Sequence, residues 1–233
     1  MRFSRDFKRS ALRWVVISAL TATGAVFPAV ASAQSDDEES GQILQANAVT
    51  LGQLLDAFAG MPGLEADFIE EKQLGMLAMP LTSSGTLYFT QPGLLHRRVD
   101  EPRPSTVVIT PDLLRFTDES GTEEIDLRAR DDVRLFVESL VWVLAGDRVR
   151  LDEAYETHFV PLGSAWTLTL TPRDSPLSDI IATMVMRGNG LEVNTIEVTE
   201  TAGDVTTTQI SSANPARIFD DAERGELFGV SEQ

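Results

Sequence analysis

The chain of 233 residues contains no cysteine. That excludes a disulfide framework and a thiolate metal site, so the fold has to hold by packing and hydrogen bonding. Histidine is almost missing too. His96 and His158 lie far apart, each in a segment with strand character, and two histidines without cysteine do not make a zinc site. Basic residues are few: 19 Lys and Arg stand against 36 Asp and Glu, a net charge of −17. A surface of that sign repels nucleic acid and anionic headgroups. Catalytic signatures are also absent. There is no G-x-S-x-G elbow, since Gly163-Ser164-Ala165-Trp166 lacks the pattern, and there is no H-E-x-x-H. Gly188-Asn189-Gly190 is hairpin chemistry, because no phosphate-binding lysine follows it. No enzyme activity, cofactor, metal or nucleic-acid partner is expected.

Only one long apolar run is present. Arg2, Arg5, Lys8, Arg9 and Arg13 precede it, Trp14 to Val30 forms it, and Ala31-Ser32-Ala33 ends it with small residues. This order predicts a cleaved export signal over residues 1–33 and a periplasmic address. The residue after the cut, Gln34, is not the cysteine of a lipid-anchored lipoprotein. Cleavage removes five basic residues and one acidic residue. It leaves 14 basic against 35 acidic, a net charge of −21 (19 less 5, and 36 less 1). The remaining 200 residues are enough for one domain with a sizeable core. Residues 34–47, with the run Ser35 to Gln42, are acidic and aperiodic and read as a disordered leader. Residues 48–233 form the domain.

Within that domain two periodicities alternate. Val49, Leu51, Leu54, Leu55 and Phe58 keep helical spacing until Gly60-Met61-Pro62-Gly63 stops them. The period then becomes two. Leu64, Ala66 and Phe68 alternate with Glu65, Asp67 and Ile69, and Gly85, Leu87 and Phe89 with Thr86, Tyr88 and Thr90. Pro92-Gly93 marks a turn. Further short strands are predicted at 94–99, 106–110, 113–117 and 123–127. A helix with a wide apolar face covers 132–146, carrying Val133, Phe136, Val137, Leu140, Val141 and Leu144, and a second short helix runs around Leu151 and Tyr155. Strands resume at 156–161, 166–170, 180–187, 191–199 and 205–211, and Phe219 to Glu226 closes with a helical turn. Roughly ten strands and two or three helices make an α+β chain that is mainly β, an antiparallel meander on either side of a helical insert. One sheet of that width has to curl or split.

Carboxylate pairs such as Glu70-Glu71, Glu123-Glu124, Asp131-Asp132 and Asp220-Asp221 read as solvated faces and turns. The informative features are apolar. Met76, Leu77 and Met79 fall in a connection where a polar turn is normal. Methionine suits surfaces that meet varied apolar partners, although the same loop could be tucked onto its own core. Large side chains recur on the sheet at Phe68, Leu87, Phe89, Leu95, Phe116, Trp166, Leu168, Met184 and Met186, and on the helix at Phe136 and Leu140. They make either an ordinary core or the lining of a cavity that few helices cannot fill. Such a cavity would hold acyl chains.

Phe68 to Gln73 (FIEEKQ), Ser84 to Leu95 (SGTLYFTQPGLL), the gap with Pro102, and Val107 to Phe116 (VVITPDLLRF) occur in that order. Trp166 to Arg173 (WTLTLTPR), Leu191 to Val198 (LEVNTIEV), Thr206 to Ser211 (TTTQIS) and Ala216 to Phe219 (ARIF) follow. In this order of elements the chain resembles the outer-membrane lipoprotein carrier proteins, the LolA family, over most of residues 48 to 228. The resemblance implies an incomplete antiparallel β-barrel with helices covering its concave side. It also implies a soluble periplasmic carrier that takes acylated lipoproteins from an inner-membrane exporter complex to an outer-membrane acceptor, and a monomer is expected. Each buried methylene is worth about 0.8 kcal/mol, so one long acyl chain is worth on the order of 10 kcal/mol gross.

Two departures from the family bear on cargo. Members of the best-known type carry an arginine that fastens the helical lid, just before the proline of the strand-turn element. Here that position is Gln91, which lacks the guanidinium fork. An aromatic usually follows, where this chain has His96-Arg97. The alternative cargo is another lipid, a glycolipid or polyketide-like acyl product. A small periplasmic hydrolase and a partner-binding module with a filled core are the readings from other classes.

Overall fold

A computed structural model of the chain describes residues 49–230. The expected signal (1–33), the expected acidic leader (34–47) and the outermost positions of the expected domain lie outside the described residues. The first helix, α1 (Leu51–Ala59), begins where Thr50 and Gln53 form a reciprocal capping box, and it ends at Gly60. Leu54, Leu55 and Phe58 are its buried face.

Six strands follow as a meander: β1 (Gly63–Gln73), β2 (Leu81–Thr90), β3 (Leu94–Glu101), β4 (Ser105–Ile109), β5 (Leu113–Asp118) and β6 (Gly121–Asp126). A 3-10 turn (Leu127–Ala129) leads into the insert, α2 (Asp131–Leu144) and α3 (Arg148–Ala154). A second meander comes next: β7 (Tyr155–Leu162), β8 (Ala165–Pro172), β9 (Ile181–Asn189), β10 (Glu192–Glu200) and β11 (Val205–Asn214). Helix α4 (Asp221–Phe228) ends the described chain. β1 and β2 extend further toward their shared connection than the sequence pattern alone marks, because their polar ends keep the pairing.

All eleven strands form one antiparallel sheet in the order β6-β5-β4-β3-β2-β1-β11-β10-β9-β8-β7. Each half is a run of hairpins, and the halves join where the first strand pairs with the last, Phe68 opposite Ile210. The sheet's two edges, β6 and β7, are consecutive in the chain and are bridged by the helical insert instead of by a ladder. The barrel is therefore incomplete, as the resemblance implies. Register shifts at Glu65/Asp67, Ser84/Gly85, Val193/Thr195 and Thr199/Glu200 are irregularities that let so wide a sheet bend.

Helices α1 to α3 lie on one face, the inner face, and build the main core with it. Leu54, Leu55, Phe58, Leu140, Val143, Leu144 and Leu151 pack against Phe68, Phe89, Leu95, Leu168, Met184 and Met186. α1 and the end of α2 sit tight together. Gly146 takes a positive φ of 66°, and a methyl group there would meet the Leu55 carbonyl oxygen at 2.1 Å.

Helices α1 to α3 cover the concave side as expected, and α4 is a fourth helix beyond them. It lies on the outer face, where Phe219 and Phe228 form a second small core with Tyr88 and Leu94. Arg217 ties this tail down. Its Nε donates to Glu65 at 2.9 Å, its Nη2 donates to Glu223, and its guanidinium lies 4.7 Å over the Phe219 ring. Among the described residues no helix is long and apolar enough to cross a membrane.

Candidate functional site

Strand pairing sets which side chains share the inner face. On β1 these are Leu64, Ala66, Phe68, Glu70 and Lys72. The rows running out from them are apolar at one end. Ala66 pairs with Leu87, Leu64 with Phe89, and Phe89 with Leu95. On the other side Phe68 pairs with Ile210, and Thr208 with Ile196, which pairs with Met186.

Between this end of the sheet and the helices lies a cavity of about 60 Å³. Phe58, Leu140 and Leu144 of the helices form its roof. Leu64, Phe68, Leu87, Met186, Ile196, Thr208 and Ile210 form its walls. Exposed Leu191, Glu192, Ala213 and Pro215 border its open side. Ligand pockets usually reach about 300–1,000 Å³, so in this conformation side chains fill most of the space a chain would occupy.

Of the residues expected to line a lipid cavity, the fold brings Phe68, Leu87, Leu140 and Met186 around it. Phe89, Leu95, Trp166, Leu168 and Met184 are buried in the same core without touching the hollow. Trp166 stacks on Phe159 at 5.9 Å and donates its indole N–H to the Gly190 carbonyl at 2.9 Å. Phe116 and Phe136 are half-buried against that core. Gln91 sits in the β2–β3 turn and makes no side-chain hydrogen bond among the described residues. That turn reaches α2 through its glycine, because a methyl group on Gly93 would stand 2.9 Å from Val141 Cγ1. Met76, Leu77 and Met79 are 86%, 39% and 76% exposed, so their loop is not tucked onto the core.

The other end of the inner face is charged. Arg97 Nη2 donates to Glu70 at 2.7 Å, and Lys72 Nζ to Glu200 at 2.9 Å, all four side chains being buried. The Arg97 guanidinium lies 4.3 Å over the ring of Phe68, where the two ends meet. Burial pushes the Glu70 carboxyl up to about 7, outweighing the nearby charges of Arg97 and Lys72. Burial likewise pulls Arg97 down, against the pull of Glu70. The Thr206 and Thr208 hydroxyls and Arg97 Nε are buried and have no partner among the described residues.

This corrects the reading of Glu70 as part of a solvated pair. The signal that finds it is the phase of β1: Glu70 and Lys72 continue the parity of Leu64, Ala66 and Phe68, as Arg97 continues that of Leu95. The arrangement offers an apolar hollow and, next to it on the same face, a polar cluster of matched charges. Among the described residues no group of three or more His, Asp or Glu could hold a metal ion.

A family model described as outer membrane lipoprotein carrier protein LolA-like matches residues 44–226. No curated protein matches the chain. Solved structures with a similar fold include a DUF1329 family protein from Desulfovibrio piger (13% identity, TM-score 0.45, covering 83% of this chain and 100% of that one). Another is a LolA superfamily protein from Nitrosomonas europaea (12%, TM-score 0.41, covering 75% and 97%). A third comes from the complex of MucA and MucB of Pseudomonas aeruginosa (13%, TM-score 0.42, covering 70% and 56%).

Proposed function

The chain belongs to the LolA-like family of outer membrane lipoprotein carrier proteins, and from that premise we propose that it is a periplasmic, non-enzymatic carrier of lipoprotein acyl chains. It takes them from an inner-membrane exporter and passes them to an outer-membrane acceptor, acting as a monomer. The observation that carries this reading is the apolar hollow between the sheet and α1–α2, which is roofed by Phe58, Leu140 and Leu144.

At about 60 Å³ the hollow holds no acyl chain as it stands. Loading then consists of exchange. The helical side chains move off the inner face and methylene groups take their place. Apolar contact replaces apolar contact, so the net cost is small, and the direction of transfer follows from which protein buries the chain better. No chemical step is required. The exposed Met76, Leu77 and Met79 form the surface presented to the exporter or acceptor. A second reading, another acyl lipid as cargo, is favoured by Gln91, which makes no hydrogen bond to the helices where an arginine latch is expected.

Native mass spectrometry of protein purified from the periplasm tests the carrier reading. Wild type is expected to carry acylated adducts. Leu87→Asp, which puts a charge on the cavity wall, is expected to carry none while remaining exported. Wild-type protein free of lipid, with exporter and cargo both expressed, would refute it.

A further inference from the structure

The cavity wall is not wholly apolar. Thr208 on β11 lines it, is only 4% exposed, and its hydroxyl has no partner among the described residues. A buried hydroxyl without a partner is a standing cost, and a ligand that supplies one removes it. Its neighbours define what that ligand group can be. Thr208 pairs across the ladder with Glu70, and Glu70 accepts from Arg97. Lys72 is matched by Glu200 one step further on. The charged residues that line the hollow itself, Asp67 and Glu192, are both acidic, and each buried charge beside it already has a countercharge. An additional anion beside Thr208 would be uncompensated and would share the hollow with two acidic residues, which costs more than one hydrogen bond returns. A neutral acceptor meets no such penalty. Phe68 forms both the wall of the hollow and the platform beneath Arg97, so the apolar and polar parts are contiguous.

We propose that Thr208 reads the carbonyl oxygen of an esterified or amidated acyl chain, so that the hollow accepts neutral acyl groups and rejects free fatty acids. This rests on the carrier reading and specifies its cargo. Thr208 Oγ1 donates to the carbonyl, and the chain runs from there toward the open side at Leu191 and Pro215. The acidic lining residues Asp67 and Glu192, beside the already matched pairs Glu70–Arg97 and Lys72–Glu200, set the discrimination against carboxylate.

The test is displacement of Nile red from the full chain at pH 8 by methyl laurate and by laurate, two ligands that differ only at the head. Methyl laurate is expected to bind at least about tenfold more tightly. Thr208→Val, isosteric but without the hydroxyl, is expected to weaken methyl laurate about fivefold, and Thr208→Ser to restore it. Thr208→Val is also expected to keep or raise the melting temperature, since it removes an unsatisfied group. Equal affinity for ester and acid in wild type would overturn the inference and leave the carrier reading standing. An unchanged ester affinity in folded Thr208→Val would do the same. If Thr208→Val does not fold, the wild-type ratio decides alone. Displacement by neither ligand would overturn the inference and the carrier reading together.

Discussion

The two ends of the inner face share a strand, a parity and a degree of burial, and they differ in everything else. At Leu64, Ala66 and Phe68 the face is apolar and borders a hollow. Two residues further on, Glu70 and Lys72 are as deeply buried and are held by Arg97 and Glu200. The apolar end gains stability from area removed from water, tolerates exchange of one hydrocarbon for another, and so can serve a changing occupant. The charged end is conditional on each partner being in place. Stability that is replaceable and stability that is not lie side by side, with the Phe68 ring as the border.

The sharpest way to break this contrast is to remove one charge. Arg97→Ala leaves Glu70 buried without its partner and is expected to cost about 3–5 kcal/mol in urea unfolding. The double change Arg97→Met with Glu70→Leu is expected to recover most of that loss. If the single variant unfolds at the wild-type urea concentration, the charged end is not conditional.

A smaller effect is expected with pH. Burial raises the Glu70 carboxyl to about 7 when folded, against 4.5 for an unperturbed carboxyl, so between those values the folded protein holds a proton that the unfolded chain releases. Its contribution is full below about pH 4.5, is lost as pH rises toward about 7, and is flat beyond. Melting curves of Glu70→Gln should lack that part of the slope. Parallel profiles for the two proteins would count against a raised carboxyl.

The smallest effect concerns the exposed loop into which the charged end of β1 leads. Changing Met76, Leu77 and Met79 to Ser is expected to shift stability by no more than about 0.5 kcal/mol per site. Transfer of cargo to an acceptor should fall all the same. A large loss in melting temperature would show that the loop holds the fold.

Alternation made the sheet legible in the sequence. Period two is plain in β1, β8 and β10, the long helix shows a broad apolar stripe, and Gly and Pro mark the turns, so most segments and the direction of Leu87 and Phe89 follow directly. The buried charges are hidden because residue type and phase point opposite ways: Glu70 beside Glu71 looks like surface, although its place in the alternation points inward. Helix α4 on the outer face was hidden for a related reason. Tyr88 and His96 occupy the outward phase of strands whose inward phase already accounts for a core, so nothing local announces a second layer under Phe219 and Phe228. The size of the hollow was not legible at all. It depends on how far Leu140 and Leu144 reach toward strands remote in sequence, and that is settled only by packing.

The seam between β1 and β11 dictates an order of events during biosynthesis. Phe68 pairs with Ile210, 142 positions later (210 less 68), so this ladder spans the greatest sequence separation and is expected among the last to zip. Until then the amino-terminal meander exposes the bare edge of β1, the kind of edge that recruits stray strands. A chain whose residues 205–214 are not yet available lacks the strand that covers this edge, which makes chaperone protection most valuable until β11 arrives.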